Sequence, residues 1–297
     1  MIVCLGDLIL DVLVRRAGNR ESDNNSDQLA VAPGGAAANT AAWLAYAGAE
    51  AGFLGSAGDD FAGDMLIHDL EQHCVVCVVS RSETHPSGIL LLETGSEGQV
   101  RATAQRGAND AYMLDDVQRQ LISTASWLHV TAYAFYAESA RPHVLDAIQL
   151  ARRAGATISL DLGAPHLVHH IGKATYLELL RVAMPRLLFA NEGEATLLAG
   201  DGQQPLEALA RLAPIAVLKR GAAGCTVQFE VSRFDVAAPQ IQEIDATGAG
   251  DAFAAGTIAA LDAGKSLREA IQAGSVLGAK CAATVGGRPP LARPVRG

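Results

Sequence analysis

A chain of 297 residues, 49% of them hydrophobic, is long enough to bury one large core. Its 23 Lys and Arg stand against 32 Asp and Glu, a net charge of −9, and only 5% of residues are aromatic, so it offers neither the basic face nor the stacking surface that nucleic acid needs. No apolar run approaches the ~20 residues that cross a bilayer, and Met1-Ile2-Val3-Cys4-Leu5-Gly6-Asp7 lacks the basic start of a signal peptide, so we expect a cytoplasmic chain with no membrane partner.

From the amino end, a strand is predicted at 2–5, then a strand-like stretch at 9–14, a polar loop at 15–28 and a second short strand up to 33. A helix over 36–48 follows, then strand 51–54, helix 60–73 and strand 75–79. Residues 87–93 and 99–105 read as a β-hairpin about a glycine-containing turn. Beyond it, strands at 127–130, 157–160, 187–189 and 215–218 alternate with helices at 138–154, 173–183 and 192–200, and helices at 251–263 and 267–284 close the order. This alternation predicts an α/β fold, a mostly parallel sheet covered by helices on both faces. The two segments that break it, 9–33 and 87–106, are inserts into one 1–297 domain; a shared small lid sheet and ordinary edge hairpins both fit them.

The strongest chemical signal is Asp245-Ala246-Thr247-Gly248-Ala249-Gly250-Asp251 ahead of a helix. Gly248 and Gly250 let the chain turn tightly, so that main-chain N–H groups converge at a helix start, where the dipole adds positive character. Such a point suits a phosphoryl group in transfer. Asp251, read as the first helical residue and ionised at neutral pH from a reference pKa near 3.9, fits a base for an attacking hydroxyl. A plain helix cap is the bland alternative. A second glycine turn, Pro33-Gly34-Gly35, opens another helix, with Asn39 one turn in as donor and acceptor. The polar loop from Gly55 to Asp64 leads into the next helix.

Taken together these segments resemble the ribokinase-like (PfkB) carbohydrate kinase family over essentially the whole length. Gly34-Gly35 with Asn39, Gly48 and Gly58 is similar to its first signature and Asp245 through Asp251 to its second. Gly6 to Asp11, Gly107-Ala108-Asn109, Asn191 with Glu194, and Lys219 to Gly224 match in the same order. The resemblance implies a three-layer α/β/α sandwich with a small β lid, and an ATP- and Mg2+-dependent kinase acting on a hydroxyl of a small neutral sugar, or alternatively of a nucleoside. It implies Asp251 as base and Gly248, Ala249 and Gly250 as the anion turn. Asp11, Gly34, Gly35, Asn39 and Asn109 would hold the acceptor. Asn191, Lys219, Gly221, Gly224 and Thr247 would lie along the nucleotide. Asn191 and Glu194 would organise Mg2+ through water, and Asp245 and Thr247, with the loop at Gly286-Gly287, would hold K+. A homodimer through the lids is a further implication.

Departures narrow the substrate. Ala36 stands where phosphosugar kinases of the family tend to carry Lys, so an acceptor phosphate lacks an obvious partner. The stretch Asp161-Leu162-Gly163-Ala164-Pro165 lacks the downstream Arg that looks typical of ketodeoxygluconate kinases and fructokinases, which weighs against an acidic sugar. A fold that kept the pocket and lost turnover is the rival class, and intact Asp251 and Glu194 argue against it; a vitamin-precursor kinase fits Asp11 and Asn39 less well. Elsewhere, Gly264-Lys265-Ser266 reads as a helix stop and a new cap rather than a phosphate loop. His166, His169 and His170 read as a solvated loop or helix end, and Cys74 and Cys77 as buried free thiols.

Overall fold

The computed structural model describes residues 1–15, 28–95, 100–200 and 203–291. In its first half, β1 (Ile2–Leu5), β2 (Ile9–Arg15) and β3 (Gln28–Gly34) precede α1 (Ala36–Tyr46), β4 (Ala51–Gly58), α2 (Phe61–Gln72) and β5 (Val76–Ser82). Next come β6 (Gly88–Thr94), β7 (Val100–Gln105), α3 (Asp116–Ser123), β8 (Trp127–Thr131), α4 (Arg141–Arg153) and β9 (Thr157–Asp161). The second half runs α5 (Pro165–Ile171), α6 (Lys173–Ala183), β10 (Leu187–Asn191), α7 (Glu192–Ala199), α8 (Pro205–Ala210) and β11 (Ile215–Lys219). It closes with β12 (Cys225–Phe229), β13 (Ser232–Val236), α9 (Ala249–Asp262) and α10 (Leu267–Ala282).

Nine strands form one sheet in the order β13-β12-β11-β10-β9-β8-β1-β4-β5. From β11 to β5 every pairing is parallel, and the antiparallel β12 and β13 extend one edge. The central strands are apolar on both faces because both are covered. Along β1 the side chains alternate between two cores. Val3 and Leu5 join Val144, Ile148, Tyr176 and Leu180 on one side, whereas Ile2 and Cys4 join Trp43, Phe253, Ile258 and Ile271 on the other. The result is the expected helix–sheet–helix sandwich.

The two inserts meet in one four-stranded sheet, order β3-β2-β6-β7, with β2 parallel to β6. Its register sets Ile9 opposite both Gly34 and Gly88, and Ile89 opposite Gln105, so all four strands join the main body at one rim. That rim is fastened by polar contacts. Arg106 donates from Nη1 and Nη2 to the Asp7 carboxylate at 2.5 and 2.8 Å and from Nε to Asp110 at 2.7 Å. Ser87 donates from its main-chain N–H and its hydroxyl to Asp60, at 2.8 and 2.7 Å. The loop predicted at 15–28 falls largely outside the described residues, as do 96–99 of the hairpin turn.

Some elements differ from the sequence reading. The hairpin β12–β13 and helices α3, α5 and α8 were not predicted. Cys74 is exposed rather than buried, because it occupies the left-handed turn after α2 (φ 61°), while Cys77 is half-buried; all five cysteines are free thiols. His169 and His170 end α5, and Ser266 caps α10 in a capping box with Glu269. Among the described residues no helix is long and apolar enough to cross a membrane.

Candidate active site

Asp161, Asn191 and Lys219 are the last residues of β9, β10 and β11, at the carboxyl ends where open α/β sheets bind ligands. The helix start above them is shaped by Gly248, which caps α9 at φ 75°. A Cβ there would lie 2.5 Å from Gly287 Cα, so only glycine meets both demands. The Ala249 N–H closes a turn on Ala246 O at 3.2 Å. Of the three residues assigned to the anion turn, Ala249 thus spends its amide within the chain, while Gly250, second in the helix, keeps an N–H outside the intrahelical ladder.

Asp251 is the third residue of α9, not the first, because the helix begins at Ala249. Its Oδ2 accepts from Asn39 Nδ2 at 2.8 Å. The carboxylate is half-buried. Burial pushes its pKa up to about 7, against the Asn39 hydrogen bond; nearby Asp161 adds to the rise, while Lys219 and Arg288 oppose it. Desolvation thus brings the carboxyl near neutrality, well above the reference value from which its ionisation at neutral pH was read.

Below the turn, Lys219 Nζ donates to Asp161 Oδ2 at 2.6 Å, and a Cβ on Gly250 would lie 3.0 Å from the ammonium. Burial works against the charge of Lys219, but Asp161 and Glu194 hold its pKa above the ordinary value. Glu194 is pushed up to about 7, by burial first and by Asp161 next. It is locked in a capping box. Asn191 donates from its main-chain N–H to Oε2 at 2.8 Å and from Nδ2 to Oε1 at 2.7 Å, and its Oδ1 accepts from the Glu194 N–H at 2.9 Å. Asp161, Glu194 and Asp251 thus face a single ammonium, a surplus of negative charge that suits a cation. No group of three or more His, Cys, Asp or Glu among the described residues is placed to hold a metal ion.

On the other side of Asp251 lie Asp11, Gly34, Gly35 and Asn39. A Cβ on Gly34 would lie 2.3 Å from Asp11 Oδ2, so the glycine makes room for that carboxylate. Asp11 is pushed up to about 6 by burial, opposed by Arg288. Asp245 accepts from the N–H groups of Thr247 and Gly286, both at 2.9 Å, closing the loop predicted to hold a monovalent cation.

Three predicted residues take other places. Asn109 turns its amide into the main chain, accepting from Leu8 N–H at 2.9 Å and donating to Leu8 O at 3.0 Å and to Arg106 O at 2.9 Å. Gly224 packs against the backbone of Val236 and Ala237, while Gly221 stays exposed in the turn after β11. Conversely, Asp161, Arg288 and the buried Asp7–Arg106 pair were not singled out as site residues. Asp161 had a readable signal, a carboxylate directly after an apolar strand. Arg288 had none.

A glycine turn at a helix start, with a carboxylate in its first turn and both set above the carboxyl ends of a parallel sheet, suits one class: a small-molecule phosphotransferase on an α/β sandwich. The model of the pfkB family carbohydrate kinases matches residues 1–293. An ATP-dependent ribose-1-phosphate kinase from Halopiger xanaduensis is 32% identical over 260 residues, 86% of this chain and 82% of that protein. A fructokinase from Escherichia coli is 29% identical over 268 residues, 86% and 83%. The crystal structure of adenosine kinase from Sinorhizobium meliloti superposes with a TM-score of 0.86 at 24% identity, covering 97% of this chain and 95% of that one, and so shares its fold. The chain belongs to the pfkB family of carbohydrate kinases and is a phosphotransferase with an alcohol group as acceptor.

Proposed function

We propose that this protein transfers the γ-phosphoryl group of ATP to a hydroxyl of a small neutral sugar, in the cytoplasm. The observation that carries the reading is the Asp251 carboxylate in the first turn of α9, held by Asn39 Nδ2 at 2.8 Å, where burial pushes its pKa up to about 7. A base poised near the working pH takes a hydroxyl proton most effectively. In this reading Asp251 removes the proton as the hydroxyl attacks the γ-phosphorus. The Gly250 N–H and the dipole of α9 receive the charge on the migrating group, and Lys219 lies beneath them. Asp11, Gly34, Gly35 and Asn39 orient the sugar, with Asn109 acting one step back by holding Leu8. Thr247 and the turn from Lys219 to Gly224 flank the nucleotide.

Asn191 and Glu194 would hold Mg2+ through its waters, and Asp245 and Thr247 would shape a K+ site; Mg2+ supplies charge neutralisation on the phosphates when bound. The small sheet acts as a lid that excludes water, a competing phosphoryl acceptor. Homodimer formation through this sheet belongs to the same reading, because Leu29 and Val31 leave apolar surface exposed on β3.

The test is ADP release from pentoses, hexoses, nucleosides and a sugar phosphate, with and without K+. We expect a neutral sugar to give the highest kcat/KM. The sugar phosphate belongs in the set because the H. xanaduensis relative is a ribose-1-phosphate kinase. Asp251→Asn should lower kcat by about 100-fold or more, the usual worth of a general base, with ATP affinity retained. Turnover close to the parent's would remove Asp251 from its role.

A further inference from the structure

We infer that Arg288 is a positioning residue for the transfer step: it fixes the amide of Asn39 so that the nitrogen faces Asp251. The inference rests on the reading of Asp251 as the base.

Arg288 Nη1 donates to Asn39 Oδ1 at 3.0 Å, and Asn39 Nδ2 donates to Asp251 Oδ2 at 2.8 Å. A guanidinium has donors only and an ionised carboxylate acceptors only. The amide orientation is therefore determined, since reversing it would set N–H against N–H on one side and oxygen against oxygen on the other. The guanidinium is itself held. Its Nε donates to Asp69 Oδ2 at 3.0 Å, its Nη2 points to Gly34 O at 3.4 Å, and its side chain is 8% exposed. The preceding residue is pinned as well, with Trp43 Nε1 donating to Gly287 O at 2.9 Å. A Cβ on Gly287 would lie 2.7 Å from Asn39 Nδ2, so it is the glycine at 287 that makes room for the amide in this place. The chain of contacts Asp69–Arg288–Asn39–Asp251 thus links α2, the segment after α10, α1 and α9. It ties Oδ2 of the base and leaves Oδ1 for the incoming hydroxyl.

Other charged or titratable groups facing Asp251 are Asp161 and Lys219 at the strand ends, Glu194 in α7, and the thiols of Cys4 in β1 and Cys281 in α10. None of them bonds to Asn39. Arg288 therefore acts on the base through a contact the others lack, in addition to its charge.

The discriminating variant is Arg288→Lys, which keeps the charge and loses the fork. We expect kcat to fall about tenfold or more, as a misplaced catalytic group would cause. The acid limb of kcat/KM should move up by roughly half a pH unit, because the base loses a donor that favours its ionised form. In an Asn39→Ala background the same substitution should have less than about a twofold further effect, the mark of residues acting in series. A parent-like acid limb and kcat, or equal losses with and without Asn39, would overturn the assignment. Should Arg288→Lys not fold, Asp69→Asn loosens the same chain from its outer end, and an unmoved acid limb there overturns it equally. An inactive Asp251→Asn with an indifferent Arg288→Lys defeats this inference alone, whereas an active Asp251→Asn defeats the base as well.

Discussion

Asp251, Glu194 and Asp11 are carboxyl groups that folding makes harder to ionise, with pKa values pushed up to about 7, 7 and 6. For a raised carboxyl the folded state binds the proton more tightly than the unfolded chain. Its stabilising contribution is therefore complete below about pH 4 and is lost as pH rises through the folded value. Asp251→Asn removes this burden and should stabilise the protein by about 1–3 kcal/mol near pH 8 while changing little near pH 4. Denaturant unfolding at the two pH values checks this. In the active protein the same carboxyl should give kcat/KM an acid limb near 7. A limb near 4 would mean that solvent reaches Asp251 freely.

At the scale of elements, the two glycine turns open helices where the sequence placed them. Gly35 caps α1 at φ 98°, and a Cβ there would lie 2.2 Å from Asp7 O, so the turn is held against the rim of the small sheet. Gly35→Ala should cost about 2 kcal/mol or more and raise KM for the acceptor more than for ATP; denaturation and steady-state kinetics measure the two effects. The parallel strands were legible because strands buried on both faces leave uninterrupted apolar runs, as in β1 and β11. Hairpin β12–β13 was not, since its turn places Glu230 at φ 53° without a glycine signal and its edge position mixes polar with apolar residues. The helix start at 249–251 was legible to within two residues. Arg288 was illegible for a different reason: its partners Asp69 and Asn39 lie 219 and 249 positions away, and no local pattern encodes such a contact.

For the whole molecule, the joint between small sheet and sandwich matters most. Asn109 satisfies both main-chain groups of Leu8, at the point where the chain passes into β2. Asn109→Ala would strand a buried donor and acceptor, costing about 1–3 kcal/mol, and would slacken the joint. Acceptor KM should rise several-fold while ATP affinity holds, as isothermal titration and kinetics can show; parallel losses for both ligands would place Asn109 in global packing instead.

Because β2 and β6 enter the small sheet, and β3 and β7 leave it, at the same rim, that sheet is a cantilever. Its attached end is held by salt links and amides, and its register runs out from there to the Arg15–Gln28 and Thr94–Val100 pairs. Substitutions along the outer halves of these strands would reshape the blade without disturbing its fastening. Under the proposed function, acceptor preference can therefore drift through the outer strands while the residues at the sheet ends and the start of α9 stay as they are.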